Sequence, residues 1–373
     1  LALLVVAGLT LRTLSNVGEI DPGIDHGHLL ASYVSTSSTG VTVPERDLWF
    51  RTLAERLTEE PWVRAATISD QAPMSPHGST AFRMEGVDDP ADLVYATVVP
   101  GYFETLGMTV LRGRDFTLSD SAGAPGVAMV NEAAVRRFFP GSDGVGRHLW
   151  QPGADGAPDR GYEVVGVVSD ARIRDFLAEP EAVVYLANAQ QGYASGSALT
   201  VATTIDPAEA VPRLHAWLRD FESHIAVVNV LPYTDVVRGY TYAQRMNAQM
   251  FSALAVLGLV LAAVGIFSVM SLAVTQRTRE IGVRIALGAR RGDIGTLVAR
   301  QVVASLALGL VAGMAASVAL AGLVRSLLFG VAATDPISIA AAALVFLVAA
   351  LAAALIPARR AARVDPIRSL RAE

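Results

Sequence analysis

Few residues in this chain have the types and spacing that chemistry needs. His26 and His28 form an H-x-H pair with Asp25 beside them, which could offer a metal two imidazoles and a carboxylate. Two histidines alternating on a turn, with no third ligand close in sequence, are equally what a solvated loop contains, and no metal site is expected. Asp88 and Asp89 could pair as acid and base, but Pro90 directly after them marks a turn. His77, His148, His215 and His224 are scattered and read as structural or surface groups. The sequence contains no G-x-S-x-G elbow, no H-E-x-x-H and no G-x-x-x-x-G-K-[ST] phosphate loop. No catalytic residue, cofactor or metal is therefore expected on this chain, which reads as no enzyme. ATP, if it is used at all, is used by a separate polypeptide. With no cysteine, disulfides and thiolate metal sites are excluded.

The one concentrated feature is Gln276 to Arg300, QRTREIGVRIALGARRGDIGTLVAR. Arg277, Arg279, Arg284, Arg290, Arg291 and Arg300 stand there against Glu280 and Asp293, a net charge of +4. Ile281 and Ile285 recur four residues apart, with Val283, Ala286 and Leu287 adding apolar surface, which suits a short helix with one apolar stripe. Gly288 follows as its stop. A solvated basic loop that only fixes topology or touches anionic lipid fits the composition as well.

The island is bounded by residues 246–276 and 301–324, which are uncharged and exceed the roughly 20 residues that span a ~30 Å hydrocarbon core. A third apolar run, 336–358, is headed by Thr334 and Asp335 before Pro336 and ends at Arg359, Arg360 and Arg363. Arginine-rich loops stay in the cytoplasm, so segment 277–300 and the C-terminus are expected inside and the Asp335 end outside. Leu1 to Leu11 is apolar for 11 residues before Arg12, about 16 Å as a helix. Residues 1–14 are read as the outer end of a truncated membrane helix rather than a signal peptide, and the chain as a piece of a longer protein. No complete span carries a charge, which argues against an ion-coupled carrier. On the third helix Gly309 and Gly313, with Ala312, Ala316 and Ser317, give a small-residue packing face.

Charge is asymmetric along the chain. From Arg277 onward 12 arginines stand against 5 acids, or +7; before it 18 stand against 30, or −12. An acidic folded portion with basic membrane-side loops excludes a nucleic-acid partner. That portion, residues 15–240, reads as α+β. Leu29 to Thr36 is a strand, Pro44 and Glu45 open a helix with Trp49, Leu53 and Leu57 as its stripe, and Val63 to Ser69 is a strand. The pattern returns as strand Leu199 to Ile205, N-cap Asp206 with Pro207, a helix with Leu214, Trp217, Leu218 and Phe221 buried, and strand Ile225 to Leu231. Two such strand-helix-strand units can share one sheet. Between them Leu93 to Val99, Tyr162 to Val168 and Ala182 to Leu186 read as strands. Tyr102, Phe103 and Leu106 form an apolar helix face, and Asn131 caps a helix whose core residues are Val135, Phe138 and Phe139. A small inserted subdomain over about 100–190 is expected.

QRTREIGVRIALGARRGDI, the GLVAG at Gly309 to Gly313 and the tail ARRAARVDPIRSLR resemble the C-terminal, FtsX-like domain of MacB/FtsX-type ABC transporter permeases. VPGYFETLG, LRGRDF, VNEAAVRRFFPG, VGR and VVGVVSD are similar to the MacB-like periplasmic core domain of the same family, and in particular to the duplicated orphan permease subgroup, whose chains hold this module twice. The resemblance implies an α-helical domain of four transmembrane helices, the first truncated, over 241–373, and a multi-pass protein of the bacterial inner membrane with its large domain outside. It also implies a cytoplasmic ABC ATPase as partner, a second permease copy or the other half of a duplicated chain beside it, and a periplasmic adaptor. The role of ATPase-coupling helix falls on Glu280, Ile281, Gly282, Arg284, Ile285, Ala286, Gly288 and Ala289. The function expected is relay of ATPase motion to an extracytoplasmic domain for export or envelope work. The alternative is an orphan membrane-anchored sensor or scaffold without transport.

Overall fold

The computed structural model describes residues 1–37, 42, 45–75, 77–87, 89–153, 158–191, 196–222, 225–276, 307–317, 319, 328–332 and 334–361. In chain order these form α1 (Ala2–Gly18), a 3-10 turn (His26–His28), β1 (Leu29–Ser35), α2 (Arg46–Thr58), β2 (Val63–Ser69), β3 (Ser79–Met84), β4 (Ala91–Val98) and α3 (Tyr102–Leu106). Next come β5 (Val110–Gly113), β6 (Val127–Asn131), α4 (Glu132–Phe138), β7 (His148–Gln151), β8 (Arg160–Val168), β9 (Val183–Ala187) and α5 (Asn188–Gln191). Then follow β10 (Gly196–Thr203), α6 (Pro207–Phe221), β11 (Ala226–Pro232), α7 (Tyr233–Tyr240), α8 (Tyr242–Gln276), α9 (Ala307–Ser317) and α10 (Pro336–Ala361). The chain divides into a mixed unit, Asp21–Tyr240, and a helical unit made of Leu1–Ile20 with Thr241–Glu373.

In the mixed unit β1-α2-β2 and β10-α6-β11 interleave into one sheet of order β11-β1-β10-β2, every neighbour antiparallel. This is the split β-α-β arrangement, in which each crossover helix leaves room for a strand of the other unit. Leu30 and Val34 of β1, Ile68 of β2, and Leu199 and Val201 of β10 alternate toward the helices. From α2 the fully buried residues are Phe50, Leu53 and Leu57. Trp49, expected in that stripe, lies at its margin with its ring edge-on to Phe50 and Phe221, because Phe50 takes the inward position one residue on. On α6 Asp206 caps the helix through Ala208 N at 2.7 Å and Pro207 opens it. Ala210, Leu214 and Leu218 face inward at four-residue spacing, and Trp217 and Phe221 stack on each other, half-buried, at 5.1 Å.

The rest of the mixed unit closes on itself. β4 pairs β3, β3 pairs β7, β7 pairs β8, β8 pairs β6, β6 pairs β9, and β9 returns to β4, so six strands form a barrel. Closure removes sheet edges. The interior is filled by alternate residues of each strand, among them Phe82, Leu93, Ala128, Val130, Leu149, Tyr162, Val164, Val184 and Leu186, with Val135 and Phe139 from the region of α4. Asn131 is fully buried. Its Oδ1 accepts from Ala134 N and Val183 N, and its Nδ2 donates to Glu181 O. Phe138, expected in the core, is only partly buried, packed at the core's margin with Arg137 over its ring. The barrel begins earlier than the inserted segment expected at 100–190, because β3 and β4 belong to it. β4 touches β2 through the single register pair Ser69↔Val98 and otherwise pairs within the barrel.

The helical unit packs α1 against α8 and α10 and α8 against α10. α1 runs to Gly18, beyond the expected limit at residue 14. Arg12 does not end it, because that charge has a partner, and Thr13 and Val17 still face inward. α8 is one uninterrupted helix of 35 residues, about 52 Å long. Tyr242–Leu272 and Pro336–Leu355 are long and apolar enough to cross a membrane, and among the described residues Leu257, Leu261, Leu344 and Val348 of these helices are exposed. Of the expected span 301–324, residues 307–317 and 319 are described, as apolar α9.

Candidate functional site

The segment expected to couple to an ATPase, with Glu280, Ile281, Gly282, Arg284, Ile285, Ala286, Gly288 and Ala289, lies outside the described residues. The site that can be built is the helix bundle feeding that segment. At the head of α10, Asp335 caps the helix through Ser338 N at 2.8 Å, and Pro336 occupies the first turn. The same carboxylate receives Arg12 of α1 at 2.6 Å. One turn further along α1, Asn16 donates to Gly330 O at 3.0 Å, and Thr13 Oγ1 accepts from Phe329 N at 3.4 Å. Beneath them Val5 and Leu9 of α1 pack on Ala342 of α10, with Leu328, Val331 and Ile339 around them. The loop before α10 is thus tied to α1 by one ion pair, two hydrogen bonds and an apolar seat.

The three residues expected as a packing face on α9 separate. A Cβ added to Gly313 would stand 2.8 Å from Leu1 Cβ, so the glycine permits a close approach of α1. Ser317 Oγ donates to Gly313 O at 2.7 Å, a bond back along its own helix. Gly309 has nothing among the described residues within 4 Å of where a Cβ would be.

In the mixed unit Asp25, the carboxylate of the H-x-H group, is hydrogen-bonded with His28 Nδ1 at 2.9 Å and ion-paired with Arg64 at 3.1 Å. Among the described residues no group of three or more His, Cys, Asp or Glu is placed to hold a metal. Two other titratable side chains are perturbed. His77 is buried, its Nδ1 bonded to Ser75 O at 2.8 Å, and burial holds its pKa below the usual imidazole value. Asp70 stands where β2 meets β4, and burial raises its pKa to about 6 against the bonds it accepts from Thr97 N and Gln71 N. The sequence carried no signal for Asp70, a lone acid after a strand. Arg12 and Asp335 do carry one, opposite charges flanking apolar runs at the same expected level.

In the chain the split β-α-β sheet and its closed barrel are preceded by the short apolar helix α1 and followed by α8 and α10, both long and apolar enough to cross a membrane. Residues 6–221 match the family model of the MacB-like periplasmic core domain, and residues 252–366 match that of the FtsX-like permease C-terminal. The chain belongs to the MacB/FtsX-type ABC transporter permeases, membrane proteins with helical spans and a periplasmic or extracellular domain. It is 28% identical over 305 residues to the macrolide export ATP-binding/permease protein MacB of Rhodospirillum rubrum, covering 78% of this chain and 44% of that one. It is 22% identical over 293 residues to the uncharacterized ABC transporter permease YknZ of Bacillus subtilis, covering 77% and 72%. The solved periplasmic region of MacB from Actinobacillus actinomycetemcomitans aligns with 60% of this chain and 97% of its own length, at 15% identity and a TM-score of 0.40. The chain spans less than half the length of the MacB relative.

Proposed function

We propose that the chain is the non-catalytic, motion-transmitting permease part of an ABC exporter of the bacterial inner membrane. A cytoplasmic ABC ATPase engages segment 277–300, and its motion passes along α8 into residues 21–240 outside the membrane. The observation that supports this reading best is α8 itself: 35 residues without a break, continuous in the chain with the mixed unit at Tyr240 and with the arginine segment at its other end. A helix much longer than the hydrocarbon core is a rigid rod, suited to carry displacement rather than to bind an ion. The C-terminus is cytoplasmic, and a second permease copy or the other half of a duplicated chain completes the translocator, with a periplasmic adaptor as a further partner. Relatives named for macrolide export make a small extracytoplasmic cargo the first class to test.

The test is reversal of charge at Arg284 and Arg290 in the chain reconstituted with its ATPase. Loss of coupled ATP hydrolysis with an unchanged melting transition of the extracytoplasmic unit is the expected result. Coupling at the wild-type level in the double variant contradicts it.

A further inference from the structure

Within the helical unit α1 and α8 pack in opposite directions. A Cβ added to Gly258 of α8 would stand 3.4 Å from Leu3 Cδ1, so the two helices are in close contact there. Toward the end where α8 starts, a partly open cavity of about 420 Å³ lies between them, lined by Leu11, Leu14 and Gly18 of α1 and by Thr241 and the first turns of α8 as far as Ser252. That volume is within the range of small-molecule sites. Arg245 is the single charged residue of α8 and lines the cavity. It forms no ion pair among the described residues, and no acid among them lines the cavity beside it. Seven residues on, the Ser252 hydroxyl is turned away from solvent and has no hydrogen-bond partner among the described residues. Thr275 and Ser317 donate theirs to a carbonyl four residues back on their own helices, and Ser252 does not. Leu11 is exposed and adjoins Arg12, whose ion pair with Asp335 lies at the head of α10. The cavity therefore begins where the uncharged part of the spans ends.

We propose that this cavity binds an anionic phospholipid of the surrounding bilayer, its phosphate on Arg245 and the tops of its acyl chains along Leu11 and Leu14. α8 follows the mixed unit directly in the chain, so its first turns cross the headgroup layer on the side of that unit. The layer is about 5–8 Å deep on each side of the hydrocarbon, and Arg245 and Ser252 are about 10 Å apart along the helix, so the two residues bracket it. The guanidinium meets the phosphate through paired, charge-assisted hydrogen bonds, and the Ser252 hydroxyl meets the ester carbonyls where water gives out. A small anion from solution would use Arg245 alone; a lipid also covers the two leucines. Basic pockets between membrane helices are known to take anionic head groups for this reason. The site goes beyond the proposed relay and does not need it, since the lipid is held whether or not an ATPase acts.

The experiment is photo-crosslinking of the full chain in phosphatidylcholine nanodiscs doped with a diazirine lipid, either phosphatidylglycerol or phosphatidylcholine, with adducts mapped by mass spectrometry. Adducts on residues 11–18 and 241–252 should be about 5-fold more abundant with the phosphatidylglycerol probe, while residues 340–350 of α10 take both probes alike. Arg245→Gln should remove that excess, Arg245→Lys should keep most of it, and Arg290→Gln in the other charged segment should leave it unchanged. Equal yields from the two probes at 11–18 and 241–252, or no adducts there, overturn the proposal, and that comparison stands even if a variant fails to fold. A folded Arg245→Gln variant that keeps the wild-type excess overturns it too.

Discussion

Arg12 and Asp335 are 323 residues apart in the chain and 2.6 Å apart in space. Asp335 serves two masters, the first turn of α10 through Ser338 N and the guanidinium of α1. Asp335→Ala should lower the melting temperature by removing both the cap and the ion pair. Asp335→Asn should keep most of the cap. Because Arg12 is 39% exposed, a double-mutant cycle of Arg12→Ala with Asp335→Asn, followed by thermal unfolding in detergent, should show melting shifts that are close to additive.

Gly313 and Gly309 lie four residues apart on α9 and should respond oppositely to alanine. At Gly309 the new methyl meets none of the described residues, so higher helix propensity should stabilise by up to about 1 kcal/mol. At Gly313 it would meet Leu1, and cross-linking between cysteines placed on α1 and α9 should fall.

Asn131 satisfies three backbone groups from inside the barrel. Asn131→Ala should destabilise the mixed unit by about 2–4 kcal/mol, the loss of a helix cap plus buried amides without acceptors. Phe50→Ala, which empties a fully buried site in the other core, should cost about 3–5 kcal/mol. Denaturant titration of the two variants checks both values.

The architecture of the split sheet was legible because its signals are local. Asp206 with Pro207 announces a helix start, and Leu53 with Leu57 shows helical spacing, so both crossover helices could be read directly. The barrel was not legible. β5, β6 and β7 are four or five residues long, too short for alternation to establish a strand, and closure depends on the non-local β4–β9 pairing. For the same reason Leu93 to Val99 was legible as a strand but its partners were not, and the inserted segment was expected to begin only at about residue 100. In the bundle, apolar length and arginine position marked the spans, while the contact between Arg12 and Asp335 required knowing which helices are neighbours.

His77 and Asp70 predict opposite pH dependence. The folded-state pKa of His77 lies below its unfolded value because burial disfavours the imidazolium, so the unfolded chain binds the extra proton. Its contribution is whole above about pH 6.5 and is lost as pH falls through the folded pKa. Asp70 has a raised folded pKa, so its contribution runs the other way and weakens as pH rises from about 4 to 6. His77→Gln should flatten the acid side of a plot of melting temperature against pH and leave the Asp70 component in place.

The proposed relay requires the arginine segment to lie inside the cell and residues 21–240 outside. The chain has no cysteine, so single cysteines can be read without background. Arg290→Cys in intact cells should resist a membrane-impermeant maleimide until the membrane is opened, while Leu118→Cys, at a position 66% exposed in the mixed unit, should label at once. Labelling of Arg290→Cys from outside intact cells, with Leu118→Cys protected, would contradict the account.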